Sequence, residues 1–282
     1  MRIKSKCLVA LGACILLTVS TSLCFAERSA NNKLNLEQLA QMTQKALDYQ
    51  EIENLMSRHE YYHTQGRNIE ELKAIWVRKA PDTDTATFTM QHGSMIGMKS
   101  IMYQYGEFHE KSNNVELGLI HKVRPDIANV PENAGIGQFA EHTLTTACIE
   151  IAGDGKTAKG MWYSPGVVAG IDIKNGKPHS LWMWEKYGVD FVKEDGQWKI
   201  WHLLVCTDFG FPIGSQWPKE ENEAVNTQGT EGTAPPPEIA AIMPKFDKEA
   251  ENYKEYSPTK MPQDNISRPP EPYYTFSETF SY

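Results

Sequence analysis

The residues Leu181–Phe209, LWMWEKYGVDFVKEDGQWKIWHLLVCTDF, constrain this chain more than any other segment. They make two long amphipathic strand patterns joined by Glu194, Asp195 and Gly196. Gly beside Asp between β-branched and aromatic runs marks a hairpin, because glycine takes positive φ without steric cost. Each arm is about ten residues, the upper end of strand length. Trp182, Trp184, Trp198, Ile200 and Leu204 fall on alternate positions, with Tyr187, Phe191, Trp201, Leu203 and Val205 between them. A sheet bulky on both faces must be covered on both. Glu185, His202 and Asp208 put polar groups into that ladder, and the combination predicts a curved sheet lining a pocket.

The N-terminus has to be set aside before the fold is read. Arg2, Lys4 and Lys6 precede an apolar run, Cys7 to Leu17, that is too short to span a bilayer. Small residues around Cys24-Phe25-Ala26 complete a signal peptide over residues 1–26, so the chain is expected in the periplasm or secreted. Leu11-Gly12-Ala13-Cys14 resembles a lipobox but comes too early. The remaining 256 residues carry 25 basic against 36 acidic side chains, a net charge of −11. That balance excludes nucleic acid and anionic lipid as natural partners. No later apolar run reaches spanning length, so no membrane association is expected after cleavage. Of the five cysteines, Cys148 and Cys206 remain, both in strand patterns; a disulfide between them and two buried free thiols are both open.

Residues 27–49 read as a polar N-terminal helix from Asn35. From Gln50 a sharper stripe begins: Ile52, Leu55, Met56, His59, Tyr62, His63 and Gly66 stand at i, i+3, i+4, i+7, i+10, i+11 and i+14. Gly66 ends that helix. Residues 69–77 predict a short helix, Thr85–Met90 a strand, and the stretch after Gly97 a helix carrying Met98, Ile101, Met102, Tyr105 and Phe108. Residues 112–138, rich in Asn, Pro and Gly, read as a long irregular and functional loop. Four strands follow, at about 139–151, 157–172, 180–193 and 197–209. Beyond Phe211 the chain turns Pro-rich and polar, yet its end keeps Tyr273, Tyr274, Phe276, Phe280 and Tyr282. Linkers lack such aromatics, so residues 212–282 are expected to form an extended arm packed on this subunit or a neighbouring one.

Helices followed by a meander, over IENLMSRHEYY and GRNIEEL (52–72), the strand and GMKSI (85–101), HTLTTACIEIAGDGKTAKGMW (142–162) and VDFVKEDGQWKIWHLLVCTDF (189–209), make residues 50–211 resemble the SnoaL-like, scytalone-dehydratase-like branch of the nuclear-transport-factor-2-like (NTF2-like) superfamily. The resemblance implies an α+β cone-shaped barrel, with N-terminal helices on a curved, mostly antiparallel sheet, and frequent oligomers. It also implies dehydratase, isomerase, cyclase or non-catalytic binding roles. A homo-oligomer through the sheet and the C-terminal arm is the expected assembly.

His59-Glu60-Tyr61-Tyr62-His63 is a literal H-E-x-x-H, the spacing that puts two imidazoles on one helix face around zinc. Ile69 stands where a third histidine would continue the string, and two protein ligands are too few for a catalytic zinc. A zinc hydrolase is therefore set behind the other readings, and no metal is expected. The same residues serve better inside a pocket. In the resembling dehydratases this helix contributes a Tyr and an Asp; here Tyr62, His63 and Thr64 occupy those places, and His63 stands in as a base near neutrality. His142 opens a strand where such relatives carry a pocket histidine.

Tyr62, His63 and His142 are thus the candidate catalytic residues. His59, Tyr61, Trp162, Trp184, Tyr187 and His202 are the candidate substrate-binding residues, with the tryptophans as flat apolar walls. No P-loop, dinucleotide-binding glycine pattern or nucleophile elbow is present, so no cofactor is expected. The expectation is a lyase or isomerase of dehydratase type, using His/Tyr acid–base chemistry on a small hydrophobic or aromatic hydroxy or carbonyl compound. The alternative is a non-catalytic carrier of a hydrophobic ligand.

Overall fold

A computed structural model describes residues 34–91, 93–215, 235–249, 256, 261 and 268–282. The expected signal peptide, His92 and most of the Pro-rich stretch lie outside the described residues. The chain divides into two units, residues 1–47 and 48–282. In the first, Asn35 and Gln38 exchange side-chain to backbone hydrogen bonds of 2.8 and 3.0 Å, a reciprocal cap that starts helix α1 (Leu36–Thr64). Leu36, Leu39, Met42 and Leu47 on these first turns are exposed.

The second unit begins where the apolar stripe of α1 begins. Ile52, Leu55, Met56 and His59 are buried, as their helical spacing requires. Gly66, at φ +66°, turns the chain into α2 (Asn68–Ile75). A short helix, α3 (Asp82–Thr85), leads to strands β1 (Thr87–Met90) and β2 (Gly93–Ile96). Then α4 (Met98–Ile101), a π-helical turn Met102–Glu107 and α5 (Phe108–Val123) follow without a break. Strands β3 (Phe139–His142), β4 (Thr145–Ile151), β5 (Thr157–Ile171), β6 (Pro178–Glu194) and β7 (Gln197–Pro212) complete the meander. After a one-turn helix α6 (Pro237–Ala240) comes a two-residue strand, β8 (Lys248–Glu249).

The sheet order is β3-β5-β6-β7-β1-β2-β8, with β4 sharing the β5 edge beside β3. All pairings are antiparallel except β1 on β7, where Phe88 lies opposite Leu203. Bulges at Trp184/Glu185 and Asp190/Phe191 bend the long β6–β7 hairpin. The expected α+β architecture of helices on a curved, mostly antiparallel sheet is therefore present. Ile52 and Met56 of α1, Leu72 and Trp76 around α2, and Phe191, Ile200 and Leu203 of the sheet are sealed from solvent and form one core. Each such side chain contributes about 1.5–3 kcal/mol of burial free energy. Buried Asp48 ties α1 to the hairpin, accepting from Trp198 Nε1 at 3.0 Å and Lys193 Nζ at 2.5 Å.

Three expectations need correction. The irregular stretch expected over 112–138 begins only at Arg124, because α5 runs on to Val123 with Leu117 and Ile120 buried. Asn113, Asn114 and Gly118 lower helix propensity, but tertiary burial outweighs it. The strand expected at 139–151 is two strands, since Thr146 sits at φ +56° beside a register shift. Cys148 is exposed and Cys206 partly buried, and both are free thiols rather than a disulfide.

The aromatic end of the chain packs on its own sheet. Tyr273 O and Tyr274 O accept from Gly153 N and Asp154 N at 2.9 and 3.1 Å. Phe280 and Tyr282 place their rings 4.4 and 4.5 Å from the ammonium of buried Lys159, which also pairs with Asp190. No helix among the described residues is long and apolar enough to cross a membrane.

The hairpin turn gives a direct test of this register. Glu194 pairs with Gln197, so Asp195 and Gly196, at φ +50° and +77°, form a two-residue turn. A Cβ at Gly196 would meet nothing within 4 Å, so its cost is purely conformational. Gly196→Ala should lower stability by about 1–2 kcal/mol, read as a drop in the urea midpoint with an unchanged slope.

Candidate active site

Glu71 of α2 is wholly buried, so its oxygens depend on donors from the protein. Oε1 accepts from His59 Nδ1 at 2.8 Å and Trp76 Nε1 at 3.0 Å; Oε2 accepts from the Tyr105 hydroxyl at 2.7 Å. Burial alone would discharge His59. The Glu71 charge and hydrogen bond overcome it, with Glu60 and Glu185 adding to them, and the His59 pKa is raised to about 9. His59 is therefore a buried cation.

His63 stands one turn further along α1, its ring stacked 6.2 Å from that of His59. Burial, then the charge of His59, then His142 and His109, lower its pKa to about 3, so His63 is neutral. Its Nδ1 lies 3.3 Å from the Tyr105 hydroxyl. Tyr105 and Tyr187 are both held well above the usual phenol range, first by burial and then by neighbouring carboxylates, and keep their protons. Glu60, buried beside His59, is raised to about 7 by burial.

The sheet supplies the facing wall. His142 closes β3, and its ring lies 6.2 Å from that of His63, tilted by 57°. Its Nδ1 is 3.3 Å from Glu185 Oε2, while Thr207 Oγ1 donates to Glu185 Oε1 at 2.9 Å. Gly166 lies opposite His142 in β5, where a Cβ would fall 2.5 Å from His142 Nδ1. Only glycine leaves the imidazole that room. Tyr187 meets His59 edge-on at 5.7 Å.

These groups converge on a cavity of about 390 Å³, within the range of small-molecule sites. His59, His63, His142, Glu185, Gln91, Gln104, Tyr105, Tyr187 and Thr207 form its polar part. Phe88, Met90, Phe108, Leu203 and Val205, with Pro235, Met243, Pro244 and Phe246 from the C-terminal segment, form its apolar part. Among the described residues no group of three or more His, Cys, Asp or Glu side chains is placed to hold a metal ion.

Of the residues singled out from the sequence, the fold brings His59, His63, His142 and Tyr187 together around this cavity. Five others lie elsewhere. Tyr62 turns its ring to Arg67 and does not line the cavity, because a residue three positions from His59 is rotated about 60° away from it at 100° per residue. Tyr61, one residue earlier, is 71% exposed. Trp162 sits deep in the core, edge-on to Phe191, and Trp184 stacks on Phe209 at the surface. His202 faces away from the cavity, since Leu203 and Val205 line it and neighbouring strand residues alternate faces. There His202 Nδ1 contacts Asp190 Oδ2 at 2.8 Å and Ser281 Oγ at 2.9 Å. Both contacts fall on one nitrogen, so this trio does not flank the ring as a proton relay would.

His121 contacts the Ile127 carbonyl at 2.7 Å, and burial lowers the pKa of His109. Glu71, Tyr105 and Thr207 escaped sequence reading. Glu71 carried one signal, a charge on the buried face that Leu72 and Ile75 mark in α2.

Helices packed on an open, curved sheet, with histidines and phenols between them, define the class. Residues 44–203 match the SnoaL-like domain, and the chain belongs to the SnoaL-like family. Three solved structures are among those similar to the chain. Hexachlorocyclohexane dehydrochlorinase LinA-type3 from Novosphingobium barchaimii is 17% identical over 62% of this chain and 95% of that one, with a TM-score of 0.41. A putative scytalone dehydratase from Novosphingobium aromaticivorans is 16% identical over 62% and 99%, with a TM-score of 0.40. An NTF2-like protein with a cystatin-like fold from the same species is 17% identical over 61% and 90%, at 0.38. Likenesses this distant do not bear on the reaction. No curated protein matches the chain.

The raised pKa of His59 makes stability depend on pH. The contribution is fully present below the unfolded value of 6.5 and is lost as pH rises through about 9. A shift of that size corresponds to stabilisation on the order of 3 kcal/mol. Denaturation midpoints should therefore fall between pH 7 and about 9.5. The decline should vanish in His59→Gln; an unchanged slope in that variant would refute the assignment.

Proposed function

We propose that the protein is a cofactor-independent lyase or isomerase that works by histidine acid–base chemistry on a small, largely apolar hydroxy or carbonyl compound. One observation carries this reading: His63 from a helix and His142 from the sheet face each other at 6.2 Å inside a closely lined cavity. His142 is the base. Glu185 lies 3.3 Å from its Nδ1 without a formed hydrogen bond, so its charge stabilises the imidazolium and leaves Nε2 to receive a proton. Tyr187, a protonated phenol, replaces Tyr62 as the donor to a developing oxyanion.

His63 positions the substrate. Because the Tyr105 proton goes to Glu71, the Nδ1–H of His63 donates to the phenol oxygen and its Nε2 presents a lone pair. In an isomerisation, a C–H bond beside the carbonyl breaks, the proton passes to His142, and the enolate is reprotonated at another carbon. In a dehydration, the electron pair forms a C=C bond and expels the β-hydroxyl, which leaves as water after taking the proton back from His142. Either cycle returns the histidine unchanged.

A carrier of hydrophobic ligands is the second reading, supported by the low basicity of His63 and the largely apolar lining. The same proposal takes residues 1–26 as a signal peptide for export to the periplasm or exterior, and the assembly as a homo-oligomer through sheet and arm. Mature protein beginning at Glu27 and a native mass above that of one chain would support those two parts.

Deuterium wash-in separates enzyme from carrier. Incubated in D2O with a panel of aromatic ketones and β-hydroxy ketones, the protein should catalyse exchange or water loss followed by mass spectrometry. His142→Ala should lower that rate about 10²–10⁴-fold without loss of fold. Undiminished exchange in the variant removes His142 from the mechanism; binding without exchange in the wild type favours the carrier.

A further inference from the structure

The segment Pro235–Glu249 returns to the cavity from beyond the last long strand. Pro235, Met243, Pro244 and Phe246 supply part of its apolar lining. Hydrogen bonds and a strand pairing hold the segment there. Asp247 Oδ2 accepts from Ile96 N at 2.8 Å and from Ser100 Oγ at 2.6 Å, and Asp247 N donates to Ser94 O at 2.9 Å. β8 pairs with β2, matching Ser94 to Lys248 and Gly93 to Glu249. The Tyr103 hydroxyl donates to Ile242 O at 3.2 Å. Gly93 leaves room for the Phe246 ring, which a Cβ there would approach to 2.4 Å.

The charge around the same space is one-sided. Among the described residues no lysine or arginine lines the cavity, whereas the Glu185 carboxylate does. The one buried cation nearby, His59, is already paired with Glu71. An anionic ligand would lose its hydration and meet the Glu185 carboxylate, neutral donors and an imidazolium already neutralised by Glu71, which is costly beside so much apolar surface. Phe88 and Leu203 on the sheet and Met243 and Phe246 on the strap give the same cavity apolar surface from two sides of the chain.

From these observations we infer that Pro235–Glu249 is a strap forming one wall of the ligand site. Met243 and Phe246, with no lysine or arginine among the described lining residues, select an uncharged ligand that has an aromatic or alicyclic body and one polar end directed to His63 and His142. This selection rests on the proposal that the cavity binds a small molecule, but not on catalysis.

Calorimetric titration of the full chain with 2-naphthol and with 2-naphthoate at neutral pH tests it. The wild type should bind 2-naphthol at least about tenfold more tightly than 2-naphthoate. Met243→Ala, which removes wall area, and Asp247→Ala, which releases the strap, should each weaken 2-naphthol binding about five- to tenfold. Equal affinity for the two probes, no binding of 2-naphthol by the wild type, or unchanged affinity in the strap variants would overturn the inference. Should Asp247→Ala fail to fold, Met243→Ala alone decides. A wild type that binds 2-naphthol as expected but exchanges no deuterium on the ketone panel would sink the enzymatic reading and leave this one standing.

Discussion

The site is organised around a carboxylate sealed from bulk solvent. Glu71 lies in the core between α1, α2 and the helical stretch that bears Tyr105, and it takes one donor from each of His59, Trp76 and Tyr105. A charge in such a place is tolerated only when opposite charge and hydrogen bonds surround it. The three donors come from three different parts of the helical layer, so satisfying Glu71 also sets how those parts lie against each other. Loss of one partner leaves the others buried and unbalanced, which typically costs about 3–5 kcal/mol.

The chemistry of the cavity follows from that charge. Held protonated by Glu71, His59 places a positive charge beside His63, which is half-buried and has no carboxylate of its own. Two like imidazoles one turn apart do not share a proton equally, and the environment pushes their pKa values in opposite directions. The outcome is a fixed cation behind a neutral ring. Tyr105 and Tyr187 stay protonated for the same reason, because carboxylates and burial both oppose a phenolate. The helical side thus offers donors and one neutral imidazole, and His142 on the sheet side has Glu185 at its back.

Much of the architecture was legible in the residues. The stripe Ile52, Leu55, Met56, His59 is buried as its spacing requires, and the β6–β7 hairpin turns at Asp195-Gly196. Periodicity misled where it was read too broadly. Tyr62 belongs to a wide helical stripe, but at 100° per residue it lies at the stripe's edge and meets Arg67 instead. His202 stood out as a polar residue in an apolar ladder, yet its parity places it on the face opposite Leu203, under Ser281 and Asp190. The helix through Asn113 and Gly118 was obscured by residues that lower propensity, although Leu117 and Ile120 supply the burial that holds it. β2 and β8 are too short to carry a pattern.

Local sequence determined the helix that bears His59 and His63, the long hairpin, and the family to which residues 44–203 belong. These depend on repeats of two or 3.6 residues and on turn chemistry, which near neighbours in the chain dictate. Tertiary structure alone brought His142 to within 6.2 Å of His63, set Glu71 beneath both His59 and Tyr105, and carried Met243 and Phe246 back to the cavity. It also decided which imidazole is charged. Burial and the approach of groups distant in the chain create that difference, and two histidines four residues apart on one helix are otherwise alike.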